Sequence, residues 1–433
     1  MKVQSETIVR PARNIRGSVQ LPGDKSISHR YAMLAGIAEG PSHLENYSTG
    51  ADCASSLGCM RGLGVTWERK AGQNVIEIQG RGPTLSAPSS QLDCGNSGST
   101  MRMLSGIVAG QQFSSEMMGD ESLSRRPMER VIKPLSAMGA QIESQQGKPP
   151  LRITGGPLKA IDYKMPVASA QVKSCLLFAG LFADGETRIE ESVRTRDHGE
   201  LALRAFGAKV ESKGARNEVR IRGGQVLRGI ETRIPGDLSS AAFFLCAAAL
   251  FPNSELTLPS LLMNPTRARL LDILTQMGLR ISVTQLDEVH GELVGSLQVA
   301  GGKLTGTTIA GADSAALIDE IPVLAAIAPF TEQGIEVRDA KELRVKESDR
   351  IAAVIANLSL MGAQVEERED GLRIPGNQTL HGADLDSFGD HRIAMAFAVA
   401  ALRASGETLI RGAESAAISY PAFFQTLEEL CQR

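Results

Sequence analysis

A chain of 433 residues exceeds the size at which a single hydrophobic core stops growing, so at least two domains are expected. With 42% hydrophobic and 22% charged residues the composition is that of an ordinary globular protein and excludes a disordered chain. A net charge of −3 removes any global electrostatic reason to expect nucleic acid or an anionic membrane as partner, so anions must be bound by local clusters.

No run approaches the roughly 18 apolar residues of a membrane span. The opening MKVQSETIVRPARN lacks the apolar core of a signal peptide, and a cytoplasmic location is expected. Six cysteines, Cys53, Cys59, Cys94, Cys175, Cys246 and Cys431, form no CxxC pair, and six histidines form no HExxH pattern. Reduced core thiols, no metal and no cofactor are therefore expected.

In chain order, the first informative element is LPGDKSISHRYAMLAGIA, beginning at Leu21. A Pro-Gly-Asp turn opens an Ala-rich helix and places Lys25, Ser26 and Arg30 around its start, a set suited to holding a phosphate or carboxylate. The Walker A pattern is absent. Next, CGNSGSTMRMLSGIVAG offers amides and hydroxyls around Gly98, where the missing side chain permits close approach, and Arg126 follows in Arg125-Arg126-Pro127 with a planar anion-binding fork. MPVASAQVKSCLLFAGLFA repeats the design at Ser169, and IPGDLSSAAFFLCAAAL near residue 234 restates the first motif, so the two halves of the chain look homologous.

LIDEIPVLAAIA sets Asp319 and Glu320 at a further helix opening. Arg344 to Arg350 packs three cations and two carboxylates into seven residues, and a helix there would put Lys346 and Arg350 on one face. FGDHRIAMAFAVAAL places Asp390, His391 and Arg392 at a last opening. Taken singly, each opening reads equally as a capped, solvated helix start. Together they recur near Asp24, Gly95, Ser169, Asp237, Asp319 and Asp390, about 70 to 80 residues apart. Between them lie alternating strands ending in Gly turns, such as LRITGG, VRIRGG and LQVAGG, and second helices ending in phrases such as LSAMGA and LRAFGA, where Gly stops the helix. If all six openings aim one way, helix dipoles and unpaired amides converge on a polyanionic ligand.

The ordered set LPGDKSISHR, CGNSGSTMR, RRPM, SAQVKS, TRDH, IDEIPVLA, ELRVKESDR and DHRIAMAF closely resembles the signatures of the 5-enolpyruvylshikimate-3-phosphate synthases, over nearly the whole chain. The resemblance implies an α/β (α+β) enolpyruvyl transferase fold of six βαβαββ units, three per domain, closing over the substrates with helix amino termini facing the interdomain cleft. By analogy the domains are 23–236 and 1–22 plus 237–433, with crossovers near 21–24 and 234–237. The implied reaction moves the enolpyruvyl group of phosphoenolpyruvate onto the 5-hydroxyl of shikimate 3-phosphate in aromatic amino-acid biosynthesis, releasing phosphate, with a monomer expected.

By the same resemblance Lys25, Ser26, Arg30, Ser169, Ala170, Gln171, Arg196, Asp319 and Lys346 contact shikimate 3-phosphate. Phosphoenolpyruvate falls to Lys25, Gly98, Arg126, Gln171, Arg350 and Arg392, and the acid/base candidates are Lys25, Asp319 and Glu347. Many relatives carry a lysine before a Thr-Phe-Pro phrase near the carboxy terminus, but this chain reads Ala417-Ile418-Ser419-Tyr420-Pro421. SAQVKS and TRDH resemble the class II branch, in which that lysine varies. Glyphosate is expected to compete with phosphoenolpyruvate beside Gly98. Two alternatives are an inactive anion-binding paralogue and a UDP-N-acetylglucosamine enolpyruvyl transferase. The latter typically carries a reactive loop cysteine, which SSEMMGDESLSRRPM lacks.

Overall fold

The structure, a computed structural model, describes residues 5–70 and 74–433. They divide into two compact units. An amino-terminal unit holds residues 23–234 and 288–292, and a carboxy-terminal unit holds 5–22, 235–287 and 293–433.

The amino-terminal unit contains helices α1 (Lys25–Ile37), α2 (Ala51–Gly62), α3 (Gly98–Ala109), α4 (Glu121–Ser124), α5 (Glu129–Met138), α6 (Ala170–Gly180) and α7 (His198–Ala205). Its three four-stranded sheets share one plan. Asp162–Lys164 runs parallel to Glu186–Glu190, which pairs antiparallel with Glu218–Arg222, which pairs antiparallel with Val210–Lys213. Leu92–Asp93, Ser114–Met118, Lys148–Thr154 and Gln141–Gln145 repeat that order, as do Glu231–Arg233, Glu39–Glu45, Val75–Arg81 and Thr66–Arg69. The alternation read from sequence appears as strands with one buried face, as in Lys148–Thr154.

Helices α1, α3 and α6 form the interior, because their openings are polar and their bodies apolar. In α1 every residue from Ile27 to Ile37 is buried. Gly106 allows α3 to approach α6 closely, since a Cβ there would stand 2.0 Å from the Cys175 carbonyl oxygen.

The carboxy-terminal unit contains α8 (Leu238–Ala249), α9 (Arg269–Gln276), α10 (Ala312–Ala316), α11 (Ile321–Ile327), α12 (Arg350–Leu360), α13 (His391–Ala401) and α14 (Phe423–Leu430). Thr307–Ile309, Ile335–Val337, Gly371–Ile374 and Glu366–Arg368 form a sheet on the same plan. Every residue of α8, α11 and α13 is buried, as their largely apolar, Ala-rich bodies favour, and the burial extends to the polar first turns at Ser239, Ser240, His391 and Arg392. Phe423 stacks near Phe243 and Phe244, each 5.6 Å away between ring centres, which anchors α14 to α8.

Local stop signals act as sequence predicts. Gly139, Gly207, Gly278 and Gly362 follow α5, α7, α9 and α12 with φ of 114°, 92°, 105° and 89°, a left-handed turn that a Cβ would strain.

Candidate active site

Each helix opening named from sequence starts a real helix, and most are capped. Asp24 accepts from the Ile27 amide at 2.9 Å, Ser97 from Thr100 at 3.0 Å and Ser169 from Val172 at 3.4 Å. Asp237 and Asp390 accept from the amides of Ser239 and Arg392 at 2.8 and 2.9 Å. The caps fix where each first turn begins, and so where its functional side chains emerge.

In the amino-terminal unit three openings meet. Arg30 of α1 is buried and donates through Nε and Nη2 to Ser174 Oγ of α6, at 3.1 and 2.9 Å, while Nη1 donates to the Ser26 carbonyl at 2.8 Å and Nη2 to that of Ala170 at 3.4 Å. Burial pushes its guanidinium down to about 10, and the nearby Arg196 charge acts in the same direction. Gln171 bridges α6 to α3, its Oε1 accepting from Arg102 Nη1 and its Nε2 donating to Ser99 Oγ, both at 2.8 Å. Arg126 Nη2 donates to Asn96 Oδ1 at 2.9 Å and Ser122 Oγ at 3.1 Å. Gly98 heads α3, and a Cβ there would lie 2.8 Å from Arg102 Nη1 and 3.5 Å from Arg126 Nη1.

Lys25 pairs with Asp52 of α2, Nζ to Oδ2 at 3.0 Å. Beneath them His29 Nδ1, Ser56 Oγ and Thr100 Oγ1 form a buried chain with links of 2.7 and 2.8 Å. Burial, with Lys25 and Arg30 beside it, holds the His29 imidazole well below its ordinary value, so the ring is neutral. Asp52, Arg102 and Ser174 carry no role in the motif reading. Arg102 was findable, four residues from Gly98 on the same helix face, whereas Asp52 is joined to Lys25 only by tertiary packing.

In the carboxy-terminal unit Asp319 lies in the turn before α11 and gathers three of the predicted cations. Lys346 Nζ is 3.8 Å and Arg350 Nη1 3.6 Å from its Oδ1, and Arg392 Nη2 is 4.0 Å from its Oδ2. Arg392 Nη1 also donates to the Asp319 carbonyl at 2.6 Å. Arg350 is 1% exposed and tied through Nε to Asp390 at 2.8 Å and through Nη2 to Glu347 at 2.6 Å. These carboxylates overcome burial and raise its guanidinium above the ordinary value. Burial lowers the Lys346 ammonium despite the opposing pull of Asp319.

A single helix that would carry Lys346 and Arg350 on one face does not form. Lys341–Val345 is a 3-10 turn, Lys346 is extended, and α12 begins at Arg350 after the Asp349 cap. Asp319, not helical periodicity, brings the two cations together. Arg344 serves structure, binding Asp349 and Glu367 at 2.9 Å.

All cysteines but Cys431 are buried. Burial lifts the thiols of Cys53, Cys175 and Cys246 and raises Cys431 to about 11, so none of these four is poised as a nucleophile. Among the described residues no group of three or more His, Cys, Asp or Glu could hold a metal ion, and no helix is long and apolar enough to cross a membrane.

Comparison with known proteins places the whole chain in one family. The chain is 61% identical to the 3-phosphoshikimate 1-carboxyvinyltransferase of Koribacter versatilis (strain Ellin345), covering 98% of this chain and 99% of the relative, and 54% identical to that of Solibacter usitatus (strain Ellin6076), with the same coverage. The solved structure of EPSP synthase from Acinetobacter baumannii superposes with a TM-score of 0.87 at 41% identity, covering 99% of this chain and 98% of that one. With residues 9–427 matching the family described as EPSP synthase (3-phosphoshikimate 1-carboxyvinyltransferase), the chain belongs to that family.

Proposed function

We propose that the chain carries out its family's reaction with phosphoenolpyruvate as donor and the 5-hydroxyl of shikimate 3-phosphate as acceptor. The observation that carries this reading is Asp319, a carboxylate within 4.0 Å of Lys346, Arg350 and Arg392. Such a group accepts a hydroxyl proton while the cations around it hold phosphate and carboxylate oxygens. Attack of that hydroxyl on C2 of the donor, with protonation at C3, gives a tetrahedral adduct; loss of a C3 proton and of phosphate restores the C2–C3 double bond and leaves the new enol ether on the acceptor.

In this reading Asp319 takes or orients the hydroxyl proton, while Lys25 and Glu347 serve the methylene carbon and the departing phosphate. Lys25, Ser26, Arg30, Ser169, Ala170, Gln171, Arg196 and Lys346 bind the acceptor alongside Asp319. Lys25, Gly98, Arg126, Gln171, Arg350 and Arg392 bind the donor. The convergence of Arg30, Arg102 and Gln171 at three helix openings supports an anion site in the amino-terminal unit. We further read the recurring sheet plan as six βαβαββ units, three per domain, with helix amino termini directed at substrate, residues 23–236 as one domain, and the chain as a cytoplasmic monomer of the class II branch.

Phosphate release measured with each substrate alone and with both tests the function. Release only with both is expected, and none with UDP-N-acetylglucosamine as acceptor. Release with the nucleotide sugar, or none with shikimate 3-phosphate, overturns the reading.

A further inference from the structure

Glu320 opens α11 directly after Asp319, and the reaction above gives it no role. Its side chain makes no capping hydrogen bond to that helix. Instead it is buried and turned toward the openings of two other helices. Ser239, in the first turn of α8, donates its hydroxyl to Glu320 Oε1 at 2.5 Å. Arg392, in the first turn of α13, brings its Nη1 to 3.7 Å from the same oxygen. One carboxylate therefore joins the starts of α8, α11 and α13.

Ser239 is fixed from its other side as well. Arg267, in the segment before α9, donates through Nη2 to Ser239 Oγ at 2.6 Å, and the same Nη2 lies 3.6 Å from Asp237 Oδ1. That Oδ1 accepts from the Ser239 amide at 2.8 Å. With a guanidinium donating to the hydroxyl oxygen, the hydroxyl proton is directed at Glu320. The four side chains of this series, Arg267, Ser239, Glu320 and Arg392, are all buried. Such a cluster is a poor device for stability, since apolar side chains of similar volume would fill the space without the cost of desolvating ions. What it does supply is direction at its last member. Arg392 Nη1 donates to the Asp319 carbonyl at 2.6 Å and faces Glu320 Oε1 at 3.7 Å. A guanidinium is planar and rigid, so two oxygens on Nη1 also set the heading of Nη2, which lies 4.0 Å from Asp319 Oδ2.

We propose that Glu320, held by Ser239 and Arg267, is a positioning residue that sets the Arg392 guanidinium for the donor's anionic group. The proposal rests on the reading of Arg392 as a donor-binding residue. Arg267 fixes the Ser239 hydroxyl, Ser239 fixes the Glu320 carboxylate, and Glu320 with the Asp319 carbonyl fixes the plane of Arg392. A general loosening of the turn at 319–320 would disturb acceptor and donor alike, because the same reading gives the Asp319 side chain to the acceptor. A relay that ends on Arg392 is felt by the donor.

Glu320→Gln keeps the shape and an acceptor for Ser239 and removes the charge that faces Arg392. The KM for phosphoenolpyruvate should rise by about 5- to 30-fold, the worth of one contact to a charged group, while the KM for shikimate 3-phosphate stays unchanged. Ser239→Ala leaves every charge of the relay in place. It should raise the donor KM by a smaller factor, and it carries the test should Glu320→Gln fail to fold. In an Arg392→Ala background Glu320→Gln should add nothing to the donor KM. An unchanged donor KM, an equal rise in both KM values, or a full additive loss in the double variant overturns the proposal while Arg392→Ala alone remains impaired toward the donor. An unimpaired Arg392→Ala enzyme instead overturns the reading of Arg392, and the proposal with it.

Discussion

Two buried arginines, Arg30 of the amino-terminal unit and Arg350 of the carboxy-terminal unit, are held in opposite ways. In the amino-terminal unit Arg30, Arg102 and Arg126 donate to hydroxyl, amide and carbonyl oxygens: Ser174, Gln171 and Asn96. In the carboxy-terminal unit Arg350 is locked by Asp390 and Glu347, and Arg392 and Lys346 lie beside Asp319. Neutral partners orient a guanidinium without cancelling its charge, which suits the capture of an anion. Carboxylate partners cancel charge but supply groups that can take and return protons. Arg30 is thus oriented by neutral oxygens and Arg350 by carboxylates, while Lys25, paired with Asp52, shows that the amino-terminal unit also uses a carboxylate partner.

The sharpest test of the proton-transfer arm is Asp319→Asn, which keeps the shape and removes the base. Turnover should fall about 100- to 10,000-fold with the circular dichroism spectrum unchanged. A turnover within a factor of a few of wild type would break the contrast between neutral and carboxylate partners.

Next in size is Asp390→Ala, which leaves Arg350, 1% exposed, without its principal carboxylate. Urea unfolding should lose about 3–5 kcal/mol, the cost of stranding one buried charge. The matching cut in the other unit, Ser174→Ala, removes a neutral acceptor and should cost only about 1–3 kcal/mol. Equal losses would show that the two ways of holding an arginine are energetically alike.

A smaller effect is expected from Gly98→Ala. The added methyl meets Arg102 Nη1 at 2.8 Å, and Arg102 holds Gln171. The guanidinium is the end of a flexible side chain and can shift, so binding weakens by about 1–3 kcal/mol, roughly 5- to 150-fold. The inhibition constant for glyphosate should rise by more than the KM for phosphoenolpyruvate, both measured at fixed shikimate 3-phosphate. Equal changes would mean that displaced Arg102, and not the space beside Gly98, governs the site.

The smallest expected effect concerns a further carboxylate partner in the amino-terminal unit, Glu200, whose Oε1 lies 2.8 Å from Nζ of the buried Lys173. Burial raises its carboxyl above the ordinary 4.5, so the folded protein holds the proton more tightly than the unfolded chain does. That contribution to stability is complete below the unfolded value and is lost as pH rises through the folded one. Glu200→Gln stays neutral throughout, so its stability relative to wild type should improve as pH rises across the carboxylate range. Urea midpoints at several pH values check the sign, and a flat difference would place the charge on a carboxylate fully compensated by Lys173.

Much of the site was readable because its signals are local. A cap such as Asp24 or Ser97 acts on an amide three residues on, and a glycine such as Gly139 acts on its own φ angle. Motif order and resemblance singled out Lys25, Arg30, Gln171, Asp319 and Arg392, and within its own unit Arg392 does lie beside Asp319. The local structure of the run from Arg344 to Arg350 was not legible, because its charge spacing also fits a helix, while the Asp349 cap starts the helix only at Arg350.

The sequence by itself determined the helix openings, their caps, the strand alternation and the chemical types gathered at each opening, since all follow from periods and dihedral preferences spanning a few residues. Only the tertiary structure decided which openings meet. Lys25 finds Asp52 across 27 residues and Arg30 finds Ser174 across 144. Lys173 gathers Glu191 and Glu200 from two other elements. No period encodes such pairings: they arise when apolar helix bodies bury against one another and carry their polar first turns to a common face, where unpaired charges must find partners.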